Sequence, residues 1–126
     1  MSKLKTGLAS LALAAALAGG SALPAQAAPH DGLWSVLIIT ERGNCDRGYR
    51  YAVRIKGGRV MHADPANSSF RINGRVASNG AAQVSVSRGS QSAAGNGRIG
   101  RDQGAGRWKS ASGDCSGTWQ AERRGR

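Results

Sequence analysis

The chain has 126 residues, with 18 Lys and Arg against 7 Asp and Glu, a formal net charge of +11. That length suits one domain rather than two. It holds two cysteines and two histidines, and neither cysteine has another Cys or a His close to it in sequence, so the spacing of a structural zinc site is excluded.

The first thirty residues fit a secretory leader. Lys3 and Lys5 precede an almost unbroken apolar run from Gly7 to Leu17, Gly19, Gly20 and Pro24 break the helix, and Ala25-Gln26-Ala27 presents small residues where a signal peptidase reads them. A membrane-spanning helix needs about 20 apolar residues, and this run is about half that. Residues 1–27 are therefore expected to be a signal peptide and residues 28–126 a single domain. Losing Lys3 and Lys5 leaves that domain at +9, with 14 of its cations arginine. No cysteine stands at the cleavage point and no twin arginine precedes the apolar run, so the expected destination is periplasmic or secreted by the general export route.

Beyond the leader the periodicity is that of strands. Tyr49, Tyr51, Val53 and Ile55 alternate with Arg50, Ala52, Arg54 and Lys56; Phe70, Ile72, Gly74 and Val76 alternate with Arg71, Asn73 and Arg75; Val84 and Val86 alternate with Gln83, Ser85 and Ser87. Leu33 to Thr40 is apolar on both faces. Gly43-Asn44, Gly57-Gly58, Asp64-Pro65, Asn79-Gly80, Gly89-Ser90, Gln103-Gly104 and Gly113-Asp114 are turn signals. They delimit eight strands, near 32–41, 48–56, 59–63, 69–77, 81–88, 93–100, 105–111 and 115–123. The sixth is the weakest, because Ala93-Ala94-Gly95-Asn96-Gly97 has poor strand propensity.

Eight short strands with tight turns predict an all-β domain, an antiparallel up-and-down eight-stranded barrel, with a β-sandwich as the alternative. Export places Cys45 and Cys115 in an oxidising compartment, where a lone pair is expected to form one disulfide; a metal pair or a reactive thiol is the competing reading. In a barrel the end of the first strand lies beside the start of the eighth, so a Cys45–Cys115 bond would pin the closing seam. The inward positions would include Trp34, Val36, Ile38, Tyr49, Tyr51, Val53, Ile55, Val60, Phe70, Ile72, Val76, Val84, Val86, Ile99, Trp108 and Trp119. That set is enough to fill an eight-stranded barrel, and a large cavity is not required. Arg50, Arg54, Lys56, Arg71, Arg75, Arg98, Arg107, Lys109 and Arg124 would face outward.

Gly32-Leu33-Trp34 resembles the G-x-W opening of several small barrels, including lipocalins and avidin-like proteins, and with a leader and one disulfide the chain also resembles bacterial alkaline-proteinase inhibitors. Cys45 to Tyr51 (Cys-Asp-Arg-Gly-Tyr-Arg-Tyr) and Cys115 to Arg124 (Cys-Ser-Gly-Thr-Trp-Gln-Ala-Glu-Arg-Arg) resemble small exported proteins of alphaproteobacteria, some of them described by haem utilisation or adhesion. These resemblances imply a barrel. They also imply, as alternatives, inhibition of a secreted protease or a haem-related or adhesive role.

The residues themselves offer no catalytic constellation, and the expectation is a non-enzymatic protein without a cofactor. Haem needs an axial ligand; Met61 and His62 are the plausible pair, there is no C-x-x-C-H motif, and His62 beside a turn reads as a surface histidine. His30 falls in an N-terminal stretch expected to be flexible. Asp46 and Asp114 would meet at one barrel end, where the simpler reading is turn formation, with Arg42 and Arg47 keeping Asp46 ionised. An inhibitor would use Ala28-Pro29-His30-Asp31. The feature with the strongest claim on function is the basic outer wall. Arg50, Arg54, Lys56, Arg71, Arg75, Arg98, Arg107 and Lys109 are the candidate site for an acidic partner: acidic polysaccharide, lipopolysaccharide or nucleic acid.

Overall fold

Eight strands follow one another in chain order: β1 (Gly32–Arg42), β2 (Gly48–Lys56), β3 (Arg59–His62), β4 (Arg71–Val76), β5 (Ala81–Arg88), β6 (Gln91–Ile99), β7 (Gln103–Ser110) and β8 (Ser116–Gly125). Each is antiparallel to the next and β1 pairs with β8, so the sheet closes on itself as an up-and-down barrel rather than a sandwich. The computed structural model describes residues 29–64, 66 and 69–126; the leader proposed for residues 1–27 lies outside them. Among the described residues, no helix is long and apolar enough to cross a membrane.

Period-two alternation becomes an inside and an outside because the pairing matches apolar with apolar. Trp34 stands opposite Val53, Val36 opposite Tyr51, Ile55 opposite Val60, Ile72 opposite Val86 and Trp119 opposite Gly106. A one-residue slip would turn each of these sets out to solvent. Gly57-Gly58 and Gly89-Ser90 are two-residue connections, and the Gly57 and Gly58 φ values of +59° and +80° are those of a hairpin turn that twists with its flanking strands.

One end of the barrel is sealed from within. Trp34 is fully buried, and its indole N–H donates to the His30 carbonyl at 2.9 Å. The guanidinium carbon of Arg123 lies 4.8 Å from the Trp34 ring centroid. Arg123 donates to the carbonyls of Asp31 at 2.7 Å, Arg101 at 2.9 Å and Pro29 at 3.0 Å, and meets Asp102 at 3.4 Å. Its side chain is 6% exposed, so one cation ties the N-terminal segment, the β6–β7 turn and β8 together beneath the floor. Gly32 sits in the same place for a steric reason. Its φ is +141°, and an added Cβ would collide with the Gly125 carbonyl oxygen and stand 2.9 Å from an Arg123 nitrogen. His30 is consequently 7% exposed and anchored, where sequence reading placed it in a flexible stretch.

The other end carries the disulfide. Cys45 in the β1–β2 loop bonds to Cys115 immediately before β8, with Cα atoms 6.2 Å apart. Thr40 pairs with Gly117 and Arg42 with Ser116, which places the bond on the β1–β8 seam as the order of strands required.

The core is uneven along the barrel axis. Val53, Ile55, Val60, Val76, Ala82, Ile99 and Ala121 pack with Trp34 in the sealed half and are buried, whereas Ile38, Tyr51, Phe70, Val84, Val86 and Trp108 are only partly covered. The inward side chains are numerous enough to fill a barrel, yet they leave space. The inward positions of β6, β7 and β8 include Ala93, Gly95, Gly97, Gly104, Gly106 and Gly117, which contribute almost no side-chain volume.

Candidate functional site

The space left by those small residues is a cavity of about 960 Å³ that opens at the disulfide end. Trp34, Val53, Ile55 and Val60 form its deep part, Val36, Val84 and Trp119 its middle, and Tyr49, Phe70, Ala93 and Trp108 its approach to the mouth. The rim is polar and carries both signs of charge, from Asn44, Asp46, Arg88, Gln91, Ser112 and Asp114.

Glycine shapes this cavity by giving indoles somewhere to lie. Gly97 of β6 stands opposite Gly106 of β7, which stands opposite Trp119 of β8. An added Cβ would approach the Trp119 ring to 2.7 Å at Gly97 and to 2.6 Å at Gly106. The ring therefore rests on bare backbone instead of projecting across the barrel. Its N–H donates to the Asn96 carbonyl at 3.2 Å, and the Trp108 N–H donates to the Ile39 carbonyl at 3.0 Å. With Trp34 tied to His30, all three indole donors are satisfied by the wall, leaving ring faces and edges to line the space.

Tyr51 adds a phenol to the cavity lining. Burial, reinforced by neighbouring Tyr49, pushes its phenol up to about 12, so it stays protonated and neutral across the physiological range. Tyr49, Tyr51 and Phe70 meet with ring centroids 5.6–5.9 Å apart, forming an aromatic side to the mouth.

His62 faces the inside of β3, meets Phe70 edge to face at 5.0 Å, and accepts the Asp64 backbone N–H on Nδ1 at 2.9 Å; it is half-buried rather than a surface histidine. Met61 pairs with Arg54 and Asn73 on the opposite face of the strand, so Met61 and His62 cannot approach one iron from the same side. No group of three or more His, Cys, Asp or Glu able to hold a metal occurs among the described residues. Asp46 and Asp114 do share the rim. Pro29, His30 and Asp31 are held under the floor, and the Asp31 carboxylate also accepts the Gly57 and Gly58 backbone N–H groups at 2.8 and 3.3 Å. That anchorage holds these three residues against the barrel.

The outward cations are all exposed, but they are not one patch. Arg50, Arg54, Lys56, Arg71 and Arg75 lie on β2 and β4, while Arg98, Arg107 and Lys109 lie on β6 and β7. Arg59 of β3, between the members of the first group, was missed by sequence reading because its strand is too short to show alternation. Arg123 was also missed, although it continues the inward series Gly117, Trp119, Ala121.

No protein-family profile, no curated protein and no solved structure matches the chain.

Proposed function

We propose that this chain is an exported, non-enzymatic barrel that holds one small apolar molecule in its interior. The observation that carries this reading is the cavity of about 960 Å³, sealed at one end, open at the other and lined by aromatic and aliphatic side chains. Binding pockets for small molecules span roughly 300–1,000 Å³ and combine an apolar lining with few polar groups. Tyr51 fits the second requirement as a neutral hydrogen-bonding group within apolar walls. The rim, bearing Asp46 and Asp114 as well as Arg88, suits an occupant whose outer end is polar but uncharged. Export is supported by the three-part leader and by the disulfide, which belongs to oxidising compartments.

Titration with the uncharged probe N-phenyl-1-naphthylamine tests the reading. Saturable one-to-one fluorescence enhancement is expected, and it should vanish in Ala93→Trp, which places an indole in the approach to the mouth, with the thermal midpoint unchanged. Absence of saturable enhancement with the parent protein would overturn the proposal.

A further inference from the structure

Three carboxylates on the outside of the barrel are paired with arginines. Glu41 meets Arg107 at 3.4 Å, Asp102 meets Arg123 at 3.4 Å and Glu122 meets Arg124 at 3.2 Å. Asp31 is engaged by the Gly57-Gly58 turn, and Asp46 and Asp114 lie at the rim. These three pairs lie on β1, β7, β8 and the turn before β7, away from the outer face of β2, β3 and β4.

That face carries an ordered set of cations. The register puts Lys56 opposite Arg59 and Arg59 opposite Arg75, a row of three positive charges crossing three strands. Adjacent strands lie about 4.8 Å apart. Arg54 stands one outward step along β2 from Lys56, and Arg71 one side chain beyond Asn73 on β4. Like charges directly opposite one another destabilise an antiparallel pair. Here two such pairs share Arg59, and all three side chains are exposed and free to turn toward an external anion. Guanidinium groups fork onto carboxylates with two parallel hydrogen bonds, so Arg59 and Arg75 are carboxylate receptors in line, with Lys56 a point charge beside them.

The rest of the face selects among polyanions. Tyr49, Tyr51 and Phe70 line the interior, so this wall has no aromatic platform on which bases could stack. Met61 is its one large apolar side chain, too little to enter a lipid layer. A linear sugar polymer with a carboxylate on successive units needs neither feature. We propose that the β2–β3–β4 wall binds a linear acidic polysaccharide along the Lys56, Arg59, Arg75 row, independently of any occupant of the cavity.

Binding of the mature protein to polygalacturonate, to a single-stranded oligonucleotide of equal charge and to phosphatidylglycerol vesicles tests this. Polygalacturonate is expected to bind tightest, weakening as salt rises. Arg59→Glu should reduce that affinity by about tenfold or more, because it both removes a cation and adds repulsion. The same substitution should raise the thermal midpoint, since a carboxylate between Lys56 and Arg75 relieves the like-charge row, and this separates lost binding from lost folding. Lys109→Glu, an equal charge change on β7, should alter affinity by less than about twofold, and Ala93→Trp should leave it unchanged. Equal losses in Arg59→Glu and Lys109→Glu, tighter binding of the oligonucleotide or the vesicles, or no binding to polygalacturonate at low salt would each overturn the proposal.

Discussion

Arg123 and its neighbour Arg124 show how little residue type alone says about role in this chain. Arg124 is exposed and meets Glu122 at 3.2 Å, a contact of the kind worth at most about 1 kcal/mol. Arg123, one position earlier, is the nearly buried clasp beneath Trp34, with three carbonyls as acceptors. Hydrogen bonds from charged groups contribute about 1.5–3 kcal/mol each and do not simply add. Arg123→Met is therefore expected to lose about 3 kcal/mol in urea denaturation, and the N-terminal segment should gain protease sensitivity because Pro29 and Asp31 lose their donor. Arg124→Met should change stability by less than about 1 kcal/mol. The distinction was present in the sequence only as parity: Arg123 lies two positions beyond Ala121 on the inward face. A charged residue at an inward position reads as an exception until the carbonyls it serves, which come from distant parts of the chain, are known.

Among the elements, β6 is the instructive case. Its glycines and alanines made it the least convincing strand by propensity, yet it spans Gln91–Ile99 and pairs along its length with β5 and β7. Tertiary context overrides propensity here because Gly97 and Gly106 accommodate Trp119. Gly106→Ala is expected to cost about 1–3 kcal/mol, the range for overpacking a fitted interior, and to alter the near-ultraviolet circular dichroism as Trp119 is displaced. An alanine at Gly89, a turn position with open space around it, should leave that spectrum unchanged. The strand boundaries themselves were legible to within two residues, because turn residues and alternation are local signals. β3 was legible as a strand, but its outward Arg59 was not recognised as the centre of a cationic row, since register between strands is not a local signal.

At the scale of the whole molecule, the two cysteines did more than any strand to reveal closure. Their positions at the end of β1 and the start of β8 anticipated the seam they hold. The bond joins residues 70 apart, and chain-entropy reasoning assigns such a loop about 4 kcal/mol. A Cys45→Ala/Cys115→Ala double variant is expected to lose about that much stability by denaturant titration, and reductant should have no further effect on it. The cavity, by contrast, was not legible: alternation shows which residues face inward but not how much of the enclosed volume they fill. By sequence the inward indoles read as filler, whereas the glycines beneath Trp119 let it lie along the wall. The same arrangement gives the barrel an internal depth scale. Trp34 marks the floor, Trp119 the middle and Trp108 the approach to the mouth, each fixed by its own N–H bond to a backbone carbonyl. A molecule lodged in the upper half would alter the emission of Trp108 and Trp119 and leave Trp34 dark to it, while one reaching the floor would change all three. The length of an occupant is thus written into the intrinsic fluorescence of the chain.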